Sequence, residues 1–180
     1  MSTWVVLLRG INVVGNRVLP MKELVTLLEC NGFAAVRSYI QSGNVVLRSR
    51  HRDPHALAKR VGALVLAARG FEPEVIVLSV GELRRAVAAN PFPEATRDPK
   101  ALHLYFLTAA PPAADLESLK RLRTGRERFA LRTKVFYLHT PDGFATSKLA
   151  SRAEKHIGVA ATARNWRTVQ KLLEMARQSG

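Results

Sequence analysis

The chain has 180 residues, with 28 Lys plus Arg against 14 Asp plus Glu, a formal net charge of +14 at pH 7. A hydrophobic content of 47% excludes a disordered basic tail, which lacks the apolar surface that offsets ordering entropy. A single cysteine, Cys30, excludes an intramolecular disulfide framework, and no apolar run approaches the roughly 20 residues of a membrane span. With no basic and apolar leader either, the expectation is a cytoplasmic protein without a membrane partner. Twenty of the 28 cations are Arg, a bias that genome composition also produces. The charge by itself therefore implies nonspecific attraction to polyanions, not a specific partner.

Residues 3–9 (TWVVLLR) are a nearly unbroken apolar run of strand length. Residues 10–20 read as a loop ending at Pro20, which is preset for the first turn of a helix. Met21, Leu24, Val25 and Leu28 then share one helical face, and Asn31-Gly32 supplies the stop. Residues 36–40 and 44–48 are short β runs joined at Ser42-Gly43, a hairpin signal. Asp53-Pro54 opens a helix whose buried face is Leu57, Val61, Leu64, Val65 and Ala68, with Gly70 at its end. Residues 73–78 form a fourth strand, which makes the order β-α-β-β-α-β. Ser79 and Glu82 match a capping box for a helix over 83–89 that Asn90-Pro91 terminates. Pro91, Pro93 and Pro99 punctuate a connection between halves.

The second half repeats the order: strand 102–108, helix 113–122, hairpin strands 128–132 and 135–139, helix 147–157, strand 159–163 and a closing helix 166–178. The predicted fold is α+β, two tandem ferredoxin-like βαββαβ halves with mostly antiparallel sheets and an extra C-terminal helix. The predicted divisions are 1–80, a linker helix and Pro-rich connection over 81–100, and 101–180, with one compact unit as the alternative. Strands 3–9 and 73–78 are apolar at successive positions, so both faces of their sheet are to be covered. Helices of a βαββαβ unit cover one face only. The other awaits the second half, a partner subunit or a ligand.

The candidate ligand-binding residues are polar groups at strand and helix ends: Arg9, Asn12, Gln41, Ser42, Asn44, Ser147, Lys148, Thr162, Arg164, Asn165 and Arg167. In a split βαβ the end of strand one and the hairpin share an edge, which groups Arg9 and Asn12 with Gln41 and Asn44. The exits of strands three and four share the opposite edge, which brings Ser147 and Lys148 toward Thr162, Arg164 and Asn165. If the halves pack antiparallel, all these groups line one cleft. They donate hydrogen bonds or hold fixed charge, and no His, Asp or Glu among them offers a general base. Asn165 as a cap leaves a positive helix end that Arg164, Arg167 and Lys148 complete as a phosphate or carboxylate seat. Each group also has a bland role, Ser147 and Asn165 as caps and Ser42-Gly43 as a turn.

No metal or cofactor is expected. His51 and His55 straddle Asp53-Pro54, and Gly10 and Gly15 fit no phosphate-loop spacing. Three readings of function stand: binding of a small phosphate-bearing or carboxylate ligand, a nucleotide included; a nucleic-acid-binding module using the basic surface; and an enzyme whose base is Glu154, His139 or His156. The RNA reading lacks an aromatic platform on residues 44–48 (NVVLR). Oligomeric state is open.

LLRGINVVG, SYIQSGNVVL, NPF, PDGFATSKL and TARNWRT occur in this order along essentially the whole chain. They resemble the signature segments of the bacterial family catalogued as domain of unknown function 1697. Members carry INVGG where this chain has Val14 in place of the first of the two glycines. They carry an Arg before the Ser-Lys pair where this chain has Thr146. The resemblance implies the fold, marks the polar segments as signature positions, and names no activity.

Overall fold

The computed structural model describes residues 1–13, 15 and 17–179; the Val14 position lies outside the described residues. The elements are β1 (Ser2–Arg9), α1 (Met21–Cys30), β2 (Ala34–Tyr39), β3 (Asn44–Ser49), α2 (Pro54–Arg69), β4 (Glu74–Ser79) and α3 (Val80–Ala88). A 3-10 turn (Pro93–Arg97) follows. Then come β5 (Leu102–Leu107), α4 (Leu116–Leu122), β6 (Arg128–Arg132), β7 (Val135–His139), α5 (Lys148–Ile157), β8 (Ala161–Asn165) and α6 (Trp166–Gln178). Two four-stranded sheets result, ordered β2-β3-β1-β4 and β6-β7-β5-β8, with every pairing antiparallel. The βαββαβ word is thus written twice.

The chain divides into two compact units, Met1–Val87 with Gln170–Gly180, and Ala88–Val169. In the first, alternation along β1 sends Trp4, Val6 and Leu8 into a core with Leu24, Leu28, Leu57, Val61 and Val65 of α1 and α2. Val5 and Leu7 point to the other face and are equally buried. The end of α6 reaches that second face, where Thr3 donates to the Ser179 carbonyl at 3.2 Å and Arg37 to Gln178 at 3.3 Å. In the second unit Tyr105, Leu107, Phe136 and Leu138 pack on Leu149, Ala153 and Ile157 of α5 and Leu119 of α4.

Caps set the helix boundaries. Asp53 accepts from the His55 and Ala56 amides, and Gly70 closes α2 at φ 75°. Ser79 and Glu82 satisfy each other's backbone N–H groups, the full capping box. Some boundaries move from their sequence positions. Asp115 caps α4 through the Ser118 amide, so that helix begins at Leu116 and not at 113. β8 runs from Ala161 to Asn165, two residues later than the apolar pattern suggests, and Ala68 is exposed.

Gly43 fixes the meeting of hairpin and central strand. Its φ is 76°, its carbonyl accepts from the Leu8 amide at 2.8 Å, and a Cβ there would lie 2.8 Å from the Leu8 carbonyl oxygen. An alanine would combine left-handed strain with backbone overlap. Gly43→Ala is therefore expected to lower unfolding free energy by about 2 kcal/mol or more, read from chemical denaturation of the first unit.

Candidate functional site

The first group of polar residues gathers as β1 and the hairpin dictate. Leu7 pairs with Asn44, and the Asn12 amide donates to the Gln41 carbonyl at 2.8 Å. Asn12 also donates to the Leu19 carbonyl and accepts from the Leu19 amide, both at 2.8 Å. With φ 55°, a conformation Asn tolerates, it clasps Leu19 to Gln41. Asn44 is fully buried, and its amide nitrogen donates to the Tyr39 carbonyl and the Ser42 hydroxyl. Arg9 sits 3.5 Å from Glu74, both about two-fifths exposed, a pair worth little in stability. Gln41 and Ser42 are exposed. Asn12 and Asn44 therefore hold the scaffold, and the exposed groups here are Gln41, Ser42 and part of Arg9.

The second group divides between two faces. Register puts Leu102 opposite His139 and His103 opposite Asn165, so β7 and β8 both end beside the start of β5. From that edge the chain enters α5 and α6. Ser147 accepts from the Ala150 amide at 3.0 Å and Asn165 from the Thr168 amide at 2.9 Å, which caps both helices. Lys148 and Arg167 are exposed in the first turns, and neither first turn carries an acidic residue. Thr162 and Arg164 lie apart from these. Alternation along β8 turns them to the face opposite Ala163, away from the α4 and α5 core. Arg164 is buried, donates to Thr162 Oγ1 at 2.6 Å and to the Ala163 carbonyl at 2.8 Å, and burial lowers its pKa to about 10.

His103 is the residue the sequence reading passed over. It sits in the apolar strand LHLYFLT at 9% exposure, and its Nδ1 is buried without a hydrogen-bond partner. Phe144, on the segment that leads to Ser147, stacks on the imidazole at 3.7 Å and 18°. Two residues along β5, Tyr105 donates to the Ala150 carbonyl in the first turn of α5 at 3.2 Å. His103 thus lies beside the α5 start, and burial pushes its pKa down to about 4. A histidine alternating with Leu102 and Leu104 was the available signal.

The bases considered from sequence have other neighbours. His139 Nδ1 is 3.1 Å from an Arg128 nitrogen, and Arg128 pairs with Glu94 and covers the Phe92 ring at 4.8 Å. Burial, then the Arg128 charge, hold the His139 pKa below the usual range. His156 faces Asp115 at 3.7 Å. Burial, and after it the charge of nearby Glu154, raise the pKa of the Tyr105 phenol. No group of three His, Cys, Asp or Glu suited to a metal ion occurs among the described residues. Among them also, no helix is long and apolar enough to cross a membrane.

The family model described as "Protein of unknown function (DUF1697)" matches residues 1–137. The chain belongs to this family. The matched part holds Arg9, Asn12, Gln41, Ser42, Asn44 and His103 and stops short of Ser147. A solved structure, the conserved bacterial protein SP0830 from Streptococcus pneumoniae, superposes with a TM-score of 0.74 over 98% of this chain and 99% of that one. Identity is 22%, so the likeness is one of fold. No curated protein matches.

Two outcomes follow from this geometry. Asn12→Ala should cost about 1–3 kcal/mol and speed amide hydrogen exchange at Leu19, since two carbonyls and one N–H lose their partner. His103 binds a proton more readily unfolded than folded, so its contribution is complete above pH 6.5 and is lost as pH falls from 6.5 to about 4. The loss should approach about 3 kcal/mol in denaturant titrations across that window, and His103→Phe should flatten it.

Proposed function

We propose that the second unit binds a small oxyanion, the phosphate or carboxylate group of a metabolite, at the edge where α5 and α6 begin. The observation that carries this reading is an internal comparison. Leu7 faces Asn44, the first residue of β3, and Phe106 faces near the same hairpin position, Val135, the first residue of β7. The halves therefore align, with α2 corresponding to α5 and α3 to α6. In the first half both helix starts carry a carboxylate, the Asp53 cap of α2 and Glu82 in the first turn of α3. In the second half both caps are neutral, Ser147 and Asn165, and the first turns hold Lys148 and Arg167.

A helix N-terminus carries roughly half a positive charge, which acidic side chains relieve and basic ones aggravate. The first half supplies its own anions. The second adds positive charge to positive helix ends, which an exogenous oxyanion would relieve. Ser147 occupies the Ala150 amide only, so the Lys148 and Leu149 amides remain as donors beside the Lys148 ammonium. Arg167 adds a forked donor suited to paired oxygens. The set binds and orients an anion and contains no group that would act as a base at neutral pH.

Calorimetry and thermal unfolding with inorganic phosphate, nucleoside monophosphates and simple carboxylates test the reading. At least one anion should raise the Tm of the unmodified chain. Lys148→Ala and Arg167→Ala should each weaken its binding by about 3–10-fold without lowering the Tm of the ligand-free protein. If no anion in the panel binds, or if both variants bind as tightly as the parent, the proposal is wrong.

A further inference from the structure

We infer that Phe144 is a movable cover over His103, and that the uncovered imidazole donates to the same oxyanion, which makes the site selective for phosphate-class groups over carboxylates. This rests on the function proposed above and adds a residue and a ligand class to it. Three observations on different elements converge. The Nδ1 atom of His103 is buried with no partner, in a side chain more than nine-tenths buried. Its register partner on β8 is Asn165, the cap of α6, and its strand neighbour Tyr105 is bonded to the first turn of α5. What closes it off is the half-buried ring of Phe144.

The cover is attached so that it can turn. The backbone of Phe144 contributes its carbonyl, which accepts from the Ser147 amide at 3.2 Å. Rotation of the side chain leaves that bond, and the Ser147 cap beyond it, in place. The preceding Gly143 has φ 120°, a conformation open chiefly to glycine.

Counting donors gives the ligand class. The Lys148 and Leu149 amides, the Lys148 ammonium, the Arg167 guanidinium and the His103 imidazole are more donors than the two oxygens of a carboxylate can use. A phosphate monoester presents three strong acceptor oxygens, and inorganic phosphate presents a fourth oxygen. In the Nδ1–H form the neutral imidazole donates, and an adjacent dianion favours its protonation. Burial alone depresses the His103 pKa in the ligand-free protein. Phe144 stacks on the ring, Asn165 faces it across the β5–β8 ladder, and Tyr105 lies two residues along β5. The equivalent position in the first half is Trp4, which faces Ser79 and also has a buried, unbonded ring nitrogen. Indole does not titrate, and that half carries its own carboxylates.

The full chain, labelled with nitrogen-15 in histidine, is titrated with inorganic phosphate and, separately, with acetate. Phosphate should shift the His103 ring resonances, raise its apparent pKa by at least about one unit, and change the ring-current effect of Phe144 on it. Phosphate should bind at least about tenfold more tightly than acetate, and His103→Phe should reduce that preference about tenfold. Phosphate binding with the His103 ring signals unmoved would overturn this inference and leave the oxyanion site standing. Equal binding of acetate would overturn the ligand class. Absence of phosphate binding would overturn this inference alone; the reading beneath it falls only if no anion of its own panel binds. The resonance measurement uses the unsubstituted chain, so it decides the matter even if His103→Phe does not fold.

Discussion

β1 is hydrogen-bonded along both edges, to β3 and β4, and Val5 to Leu8 are buried on both faces of the sheet. β5 repeats the arrangement between β7 and β8, buried from Leu102 to Leu107. A strand in that position has neither a free edge nor a wet face, so it tolerates few polar side chains along its length. Polar chemistry is therefore driven to the ends of the strands. The loops that receive it are in turn built against the strand ends, as the approach of Gly43 to Leu8 illustrates. His103 is the exception that makes β5 informative, because it places a titratable nitrogen inside a row that otherwise excludes one.

The two halves use one backbone plan with different electrostatics. Asp53 and Glu82 close the first half's helix starts internally, and nothing further is required of them. In the second half Ser147 and Asn165 perform the same capping with neutral oxygens. Caps of either kind stabilise a helix to a similar degree. What differs is the field they leave behind, and that difference does not show in a backbone superposition. Fold similarity to SP0830 accordingly extends over the whole chain and is silent on chemistry.

Much of the fold was legible because its signals are local. Asp53-Pro54, the Ser79–Glu82 box, the glycines at 43 and 70 and the apolar runs each specify an element through a few adjacent residues. The convergence of Asn12 with Gln41 followed from topology alone. The site was less legible, for a geometric reason. Placing the last strand two residues early left Arg164 and Asn165 together in a loop, where both could serve one ligand. As members of β8 they alternate, and Arg164 goes to the face away from the α4 and α5 core while Asn165 caps α6. Successive side chains of a strand point to opposite faces, so extending β8 over both residues separates them. His103 escaped notice because its neighbours Leu102 and Leu104 read as an ordinary buried strand.

The hydrogen bond from Thr3 to the Ser179 carbonyl joins residues 176 positions apart. Everything assigned to the second unit is synthesised between those two partners. On the ribosome, β1 to β4 emerge and can pair while the segment that bonds to Thr3 and Arg37 has yet to be made. Long-range closure of this kind slows folding, because the entropy of the intervening chain is lost before the contact forms. The order of synthesis thus leaves the first unit incomplete until the second has been made, although its strands are the first to appear.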